Sequence, residues 1–181
     1  MSPTARREAI VDAALQVAIR KGFGSTTVRD VAAELGCSSG LIHHYFASMD
    51  EVFAAAFEVA AGRDLEVTTA AVAAEPSPTD QLMAFFASYA RTDQDWSSQL
   101  WLDAWAEAAR QPALGATSRR LNVAWQRLLA QIVERGVAGG EFRCDDPHAI
   151  LDWTLTTTEH ELDLPHGALP RPTAATPPEP A

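Results

Sequence analysis

Thr27-Val28-Arg29-Asp30-Val31-Ala32-Ala33-Glu34-Leu35-Gly36-Cys37-Ser38-Ser39-Gly40-Leu41-Ile42-His43-His44-Tyr45-Phe46 is the stretch on which the fold of this 181-residue chain turns. Its first four residues have the form of a capping box, a hydroxyl residue followed three positions later by a carboxylate. Val28, Val31, Ala32 and Leu35 then recur at the spacing of one helix face. Gly36-Cys37-Ser38 predicts a tight turn, and Ser38 is placed to cap a second short helix. In that helix Leu41, Ile42 and Phe46 point inward, leaving Ser39, Gly40, His43 and His44 to face out. Two short helices across a glycine turn form a unit whose second helix is narrow enough to enter a major groove. Gly40 allows close backbone approach, and a helix N-terminus attracts phosphate.

Upstream, Thr4 is positioned to cap a supporting helix over 5–21, with Ile10, Ala13, Ala14, Val17 and Ala18 as its apolar stripe and Gly22 as its stop. Downstream, a long helix is expected over 49–74, burying Val52, Phe53, Ala56, Phe57 and Ala60. Glu75-Pro76-Ser77-Pro78 punctuates the chain. Thr79 or Asp80 then opens a helix to Arg91 with Leu82, Phe85, Phe86 and Tyr89 apolar. Ser97 or Ser98 opens the next, to Arg110, carrying Leu100, Trp101, Ala104, Trp105 and Ala108. A helix over 113–138 has Leu121, Trp125, Leu128, Leu129, Ile132 and Val133 at helical spacing, and Asp146-Pro147 launches a last one to 163. Pro165–Ala181 holds six prolines in seventeen residues and reads as a disordered tail. No run alternates over a strand's length, so the fold class is all-α. Three units are expected: 1–48 around the helix-turn-helix, 49–163 as a larger helical unit, and 164–181 as tail.

The hydrophobic fraction of 47% and charged fraction of 21% are ordinary for a globular protein. No apolar run approaches the roughly 20 residues of a membrane span, and the arginines near the N-terminus precede no apolar core, so a cytoplasmic location is expected. The net charge of −10 argues against nucleic acid only when taken whole. Residues 1–48 hold five basic side chains (Arg6, Arg7, Arg20, Lys21, Arg29) against four acidic ones, so any polyanion belongs there, where His43 and His44 can add partial charge. The chain has no GxSxG, P-loop, GxGxxG or paired Cys/His pattern, so neither an enzyme nor a cofactor is expected. Cys37 and Cys144 have no CxxC partner, and His148 and His160 stand alone, so no metal site is expected. Cys37 reads as a small packed residue of the turn.

The segment Thr26–Val52, with Ile10, Ala13, Ala14, Gly22 and Phe23 before it, resembles the DNA-binding part of the tetracycline-repressor (TetR) family of bacterial transcriptional regulators. The resemblance implies an all-helical homodimer, with 1–48 as a helix-turn-helix DNA-binding domain and 49–163 as a helical ligand-binding and dimerisation domain, that binds double-stranded operator DNA and releases it when a small-molecule effector is bound. It implies Thr27, Arg29, Ser38, Ser39, Gly40, His43, His44 and Tyr45 as the residues toward DNA. The chain departs from the family at His43 and Met49, where Tyr and Lys usually touch phosphates. Leu100–Ala108, Arg119-Arg120, Trp125 and Gly139-Gly140-Glu141-Phe142 resemble the C-terminal part of the choline-responsive betaine-pathway repressors. The last helix, with Thr154, Thr156, Thr157, Thr158, Glu159 and Glu161, is more polar than in the family, where it helps build the dimer's four-helix bundle.

For an effector, Phe86, Tyr89, Trp101, Trp105 and Trp125 are the expected apolar walls, with Asp103 or Glu107 as counter-charge at the rim. The same tryptophan spacing also fits a core stripe. The alternative for the whole molecule is a helical protein-protein adaptor without DNA binding.

Overall fold

Ser2, not Thr4, starts the first helix: its hydroxyl accepts the Ala5 N–H, and Pro3 occupies the first turn, where a missing N–H costs nothing. The computed structural model describes residues 2–88 and 95–144, which contain seven helices and no strand. They are α1 (Pro3–Lys21), α2 (Val28–Leu35), α3 (Ser39–Tyr45), α4 (Met49–Ala74), α5 (Pro78–Ala87), α6 (Asp95–Glu107) and α7 (Pro112–Ala138). The all-α expectation holds for these residues. The expected last helix over 146–163, the tail and Tyr89 lie outside the described residues.

The capping box of α2 is present in full: Thr27 Oγ1 accepts the Asp30 N–H, and the Asp30 carboxylate accepts the Thr27 N–H. Gly36 ends α2 at φ 68°, in the left-handed region that glycine enters without a Cβ penalty. Ser38 stands at the N-cap of α3, as expected, but its side chain makes no capping bond; only its carbonyl takes part, accepting the Leu41 N–H. α5 begins earlier than the sequence pattern placed it, because Ser77 caps it through the Asp80 N–H and Pro78 takes its first turn. α6 likewise starts at Asp95 rather than Ser97 or Ser98.

α4 is the spine, packing against α1, α5, α6 and α7. Its buried row of Val52, Phe53, Ala56, Phe57 and Ala60 is the one its spacing predicts. Phe23, in the turn after α1, is 1% exposed, with its ring 5.3 Å from that of Phe53 and 6.2 Å from that of Phe57. One core therefore runs from Ile10, Ala14 and Ala18 of α1 through Val31 and Ile42 to α4, and on to Leu100, Leu114 and Leu121. Truncating Phe23 to Ala inside it costs about 3–5 kcal/mol. A second cluster, Val72, Phe85, Leu128 and Ile132, closes the far end between α4, α5 and α7.

Candidate nucleic-acid interface and cavity

The three N-terminal helices are locked together by charge as well as by apolar packing. Arg20 at the end of α1 pairs with Glu34 of α2, and Lys21 Nζ donates to Asp30 Oδ1 at 2.7 Å. The Lys21 ammonium, followed by the Thr27 hydroxyl and N–H, holds the Asp30 carboxyl well below the usual carboxylate range. The Arg7 guanidinium sits 4.4 Å from the centre of the Phe46 ring, tying the start of α1 to the end of α3.

On this frame the outer side of α3 presents Gly40, His43 and His44, all exposed, with Ser38 exposed just before the helix and Ser39 half-buried at its first residue. Arg29 is exposed in the first turn of α2. Thr27 is exposed too, but its hydroxyl donates to Asp30 Oδ2 at 2.7 Å while accepting the Asp30 N–H, so no proton is left for a phosphate. Tyr45 is half-buried against the core rather than fully outward, with the His44 ring edge-on at 5.2 Å. The residues pointing in from α3 are Ile42 and Phe46, both buried, and Leu41, half-buried.

Behind this unit lies a cavity of about 920 Å³ between α1, α4, α6 and α7. Trp96, Trp101, Trp105 and Trp125 line it, together with Leu15, Gln16 and Ile19 of α1 and Val59, Val67 and Thr68 of α4. Trp101 and Trp105 stack at a tilt, with ring centres 5.7 Å apart. Asp64 and Arg63 supply the charged part of the wall; Asp64 is half-buried and accepts the Ser97 hydroxyl, whereas Arg63 is exposed.

The profile of bacterial regulatory proteins of the tetR family matches residues 10–56, and that of the BetI-type transcriptional repressor C-terminal domain matches residues 78–158. The chain belongs to the TetR family. It is 32% identical over 126 residues to the HTH-type transcriptional regulator BetI of Rhizobium meliloti (strain 1021), a match covering 68% of this chain and 60% of the relative. The matched stretch thus spans about 60% of the length of that curated protein. In three dimensions the chain is similar to a TetR-family regulator from Cytophaga hutchinsonii (TM-score 0.74, 24% identity, 90% of this chain and 87% of that one). It is also similar to a transcriptional regulator from Saccharomonospora viridis solved in complex with choline (TM-score 0.73, 19% identity, 88% and 84% covered).

Of the residues expected at a ligand site in this TetR-family chain, Trp101, Trp105 and Trp125 meet in one cavity. Phe86 does not join them: it is 53% exposed on α5, edge-on to Phe85 at 5.4 Å, because the adjacent Phe85 takes the buried position. Asp103 and Glu107 are not at the rim, which corrects the expected counter-charge. Asp103 accepts the backbone N–H of Phe23, and Glu107, 8% exposed, lies against Gly24 and pairs with Arg110 at 2.5 Å. The half-buried carboxylate of the cavity is Asp64, which sequence reading overlooked. It follows Arg63 on a helix that also carries Asp50, Glu51, Glu58 and Glu66, so no local signal set it apart from the solvated carboxylates.

Sequence reading also missed Asp50. It sits in the first turn of α4, yet its carboxylate accepts the N–H groups of Ala113 and Leu114, each at 2.9 Å, at the start of α7. It joins the end of the N-terminal unit to the body of the molecule.

Proposed function

We propose that this chain is a ligand-responsive DNA-binding transcriptional regulator, a repressor that grips a pseudo-palindromic operator as a homodimer and lets go when a small organic effector fills the cavity. The observation that carries this reading is the exposed outer side of a short, rigidly braced α3, set on a frame whose other end encloses a tryptophan-walled cavity. Residues 1–48 serve as the DNA-binding part and 49–163 as the ligand-binding and dimerisation part. Arg29, Ser38, Ser39, His43, His44 and Tyr45 are the residues toward DNA, with Gly40 giving the backbone room to approach. Thr27 acts mainly by holding α2. Dimerisation follows from need: a single head covers one half-site, and two heads about 34–36 Å apart read successive major grooves on one face of DNA. A cytoplasmic location goes with this role.

The effector class we favour is a cationic or amphipathic organic amine. Aromatic faces attract a desolvated cation, and of the two charged wall residues Asp64 is half-buried while Arg63 is exposed, so the charge less screened by water is the negative one. A regulator of similar fold has been solved with choline, which supports the same class.

A gel shift with duplex DNA from upstream of the protein's own gene tests the first reading. Binding as a dimer supports it, and no shift at micromolar protein favours the adaptor alternative. Tryptophan emission titrated with choline and with carboxylates tests the second. Quenching and DNA release by carboxylates alone would remove the amine preference and leave the repressor reading standing.

A further inference from the structure

α6 has two working faces. At 3.6 residues per turn, Trp101 and Trp105 fall within about 40° of each other around the helix, while Asp103 and Glu107 fall roughly 200–240° away. The first pair lines the cavity. The second pair meets the turn between α1 and α2: the Asp103 carboxylate accepts the Phe23 N–H, and Glu107 lies against Gly24. The turn is shaped to receive them. At Gly22, φ is 78°, and a Cβ built there would stand 3.0 Å from Asp103 Oδ1; a Cβ at Gly24 would stand 2.5 Å from Glu107 Oε1. As placed, the two carboxylates occupy the space that a side chain at either glycine would take. The next residue, Phe23, is clasped by Phe53 and Phe57, and Thr26 Oγ1 ties the turn back to the Gly22 carbonyl at 2.7 Å, so the turn behaves as one piece with α1 and α2.

Resting on the ligand-responsive reading above, we propose that Asp103 is a positioning residue that couples the cavity to the DNA-binding unit: α6 carries the cavity wall on one face and a carboxylate latch on the other. An occupant that wedges Trp101 and Trp105 shifts α6 as a body, since a packed helix moves whole more readily than it bends. The latch either follows, dragging the turn and the reorienting α1–α3 with it, or breaks. Coupling of this kind is reciprocal, so loosening the latch must also be felt at the tryptophan end.

The test uses the full chain and needs no identified effector. Amide hydrogen exchange is followed at the Phe23 N–H, across 28–45 and across α6, in the parent, D103N and D103A, with circular dichroism confirming that each variant is folded. D103A is expected to speed exchange at Phe23 by about tenfold or more, with D103N intermediate, since the bond lost is to an ionised acceptor. The deciding arm perturbs the cavity end. W105A, or L102A if W105A is poorly folded, removes an exposed cavity-lining side chain. It should change exchange at Phe23 several-fold in the parent and leave it unaltered in D103A. If the cavity variants act equally with and without Asp103, or not at all, the carboxylate is a local cap and the coupling is refuted. A parallel gel shift keeps the two readings apart: a parent that binds no DNA sinks the regulator reading, while the exchange data still decide the latch.

Discussion

Replacing Asp50 by Ala strips α7 of its N-terminal cap. Gln111, the residue in the capping position, makes no side-chain capping bond, and Pro112 has no N–H to satisfy. The Gly115 N–H closes onto the Gln111 carbonyl, which leaves the N–H groups of Ala113 and Leu114 for Asp50, one to each carboxylate oxygen at 2.9 Å. Hydrogen bonds to an ionised acceptor contribute about 1.5–3 kcal/mol each, and a single lost cap about 0.5–2 kcal/mol. Asp50 is half-buried, so water re-solvates part of the exposed helix end and the sum is discounted. The expected cost of D50A is then about 2–3 kcal/mol, or roughly 4–12 °C in melting temperature for a chain of this size. D50N keeps one acceptor oxygen and should lose about half as much. Urea unfolding followed by circular dichroism, at one fixed protein concentration so that self-association does not enter, measures both variants. A D50A loss below about 0.5 kcal/mol with an unchanged urea slope would refute the idea that this carboxylate caps α7 in solution.

Other outcomes follow from the same geometry. R29A should weaken binding to the upstream duplex by about 1–3 kcal/mol and lower the slope of log affinity against log salt by about 1, whereas Y45F, which keeps the half-buried ring, should lose only a hydroxyl contact; fluorescence anisotropy at several salt concentrations checks both. In G136A the new Cβ would overlap the Phe142 ring, so the variant should lose about 1–3 kcal/mol, and adding F142A should remove most of that clash in a double-mutant cycle. The Asp30 carboxyl is held low in the folded chain, so its contribution is present above the unfolded value of about 4 and is lost as pH falls below it. The gap in melting temperature between the parent and D30N should therefore be widest near neutral pH and close between about pH 4 and 2; a constant gap over that range would contradict the assignment.

What could be read from the sequence was what depends on neighbours in the chain. The Thr27–Asp30 capping box and the buried row of α4 are set by spacings of three and four residues, and the turn at Gly36 by the glycine itself, so they appear in the structure where the pattern placed them. Two of the errors at helix starts, those of α1 and α5, arose where two hydroxyl residues competed. Ser2 and Ser77 won over Thr4 and Thr79 because each is followed by a proline that fits the first turn. The carboxylates were harder. Asp50, Asp64 and Asp103 look like solvated helix residues, yet they accept bonds from Ala113 and Leu114, Ser97 and Phe23, between 33 and 80 positions away along the chain. One local clue existed: a helix opening on Gln111-Pro112 has no capping side chain of its own, so its cap has to come from elsewhere.

The charge of the N-terminal unit takes on a different meaning once its partners are known. Five basic residues in the first 48 looked like a modest reserve for a polyanion. Three of them are committed within the unit: Arg20 to Glu34, Lys21 to Asp30, and Arg7 over Phe46. These contacts brace α1 against α2 and α3, so the charge goes into the angle at which α3 is presented. With Met49 in place of a further cation and the whole chain at −10, binding to DNA under the proposed function has to come from close fit. Hydrogen-bond donors at Ser38, Ser39, His43 and Tyr45, placed by a rigid frame, are suited to that, because a positioned donor loses little freedom on binding. A protein that grips by fit is also easily released, since a small rotation of the frame spoils every contact at once, whereas a diffuse basic surface would hold on.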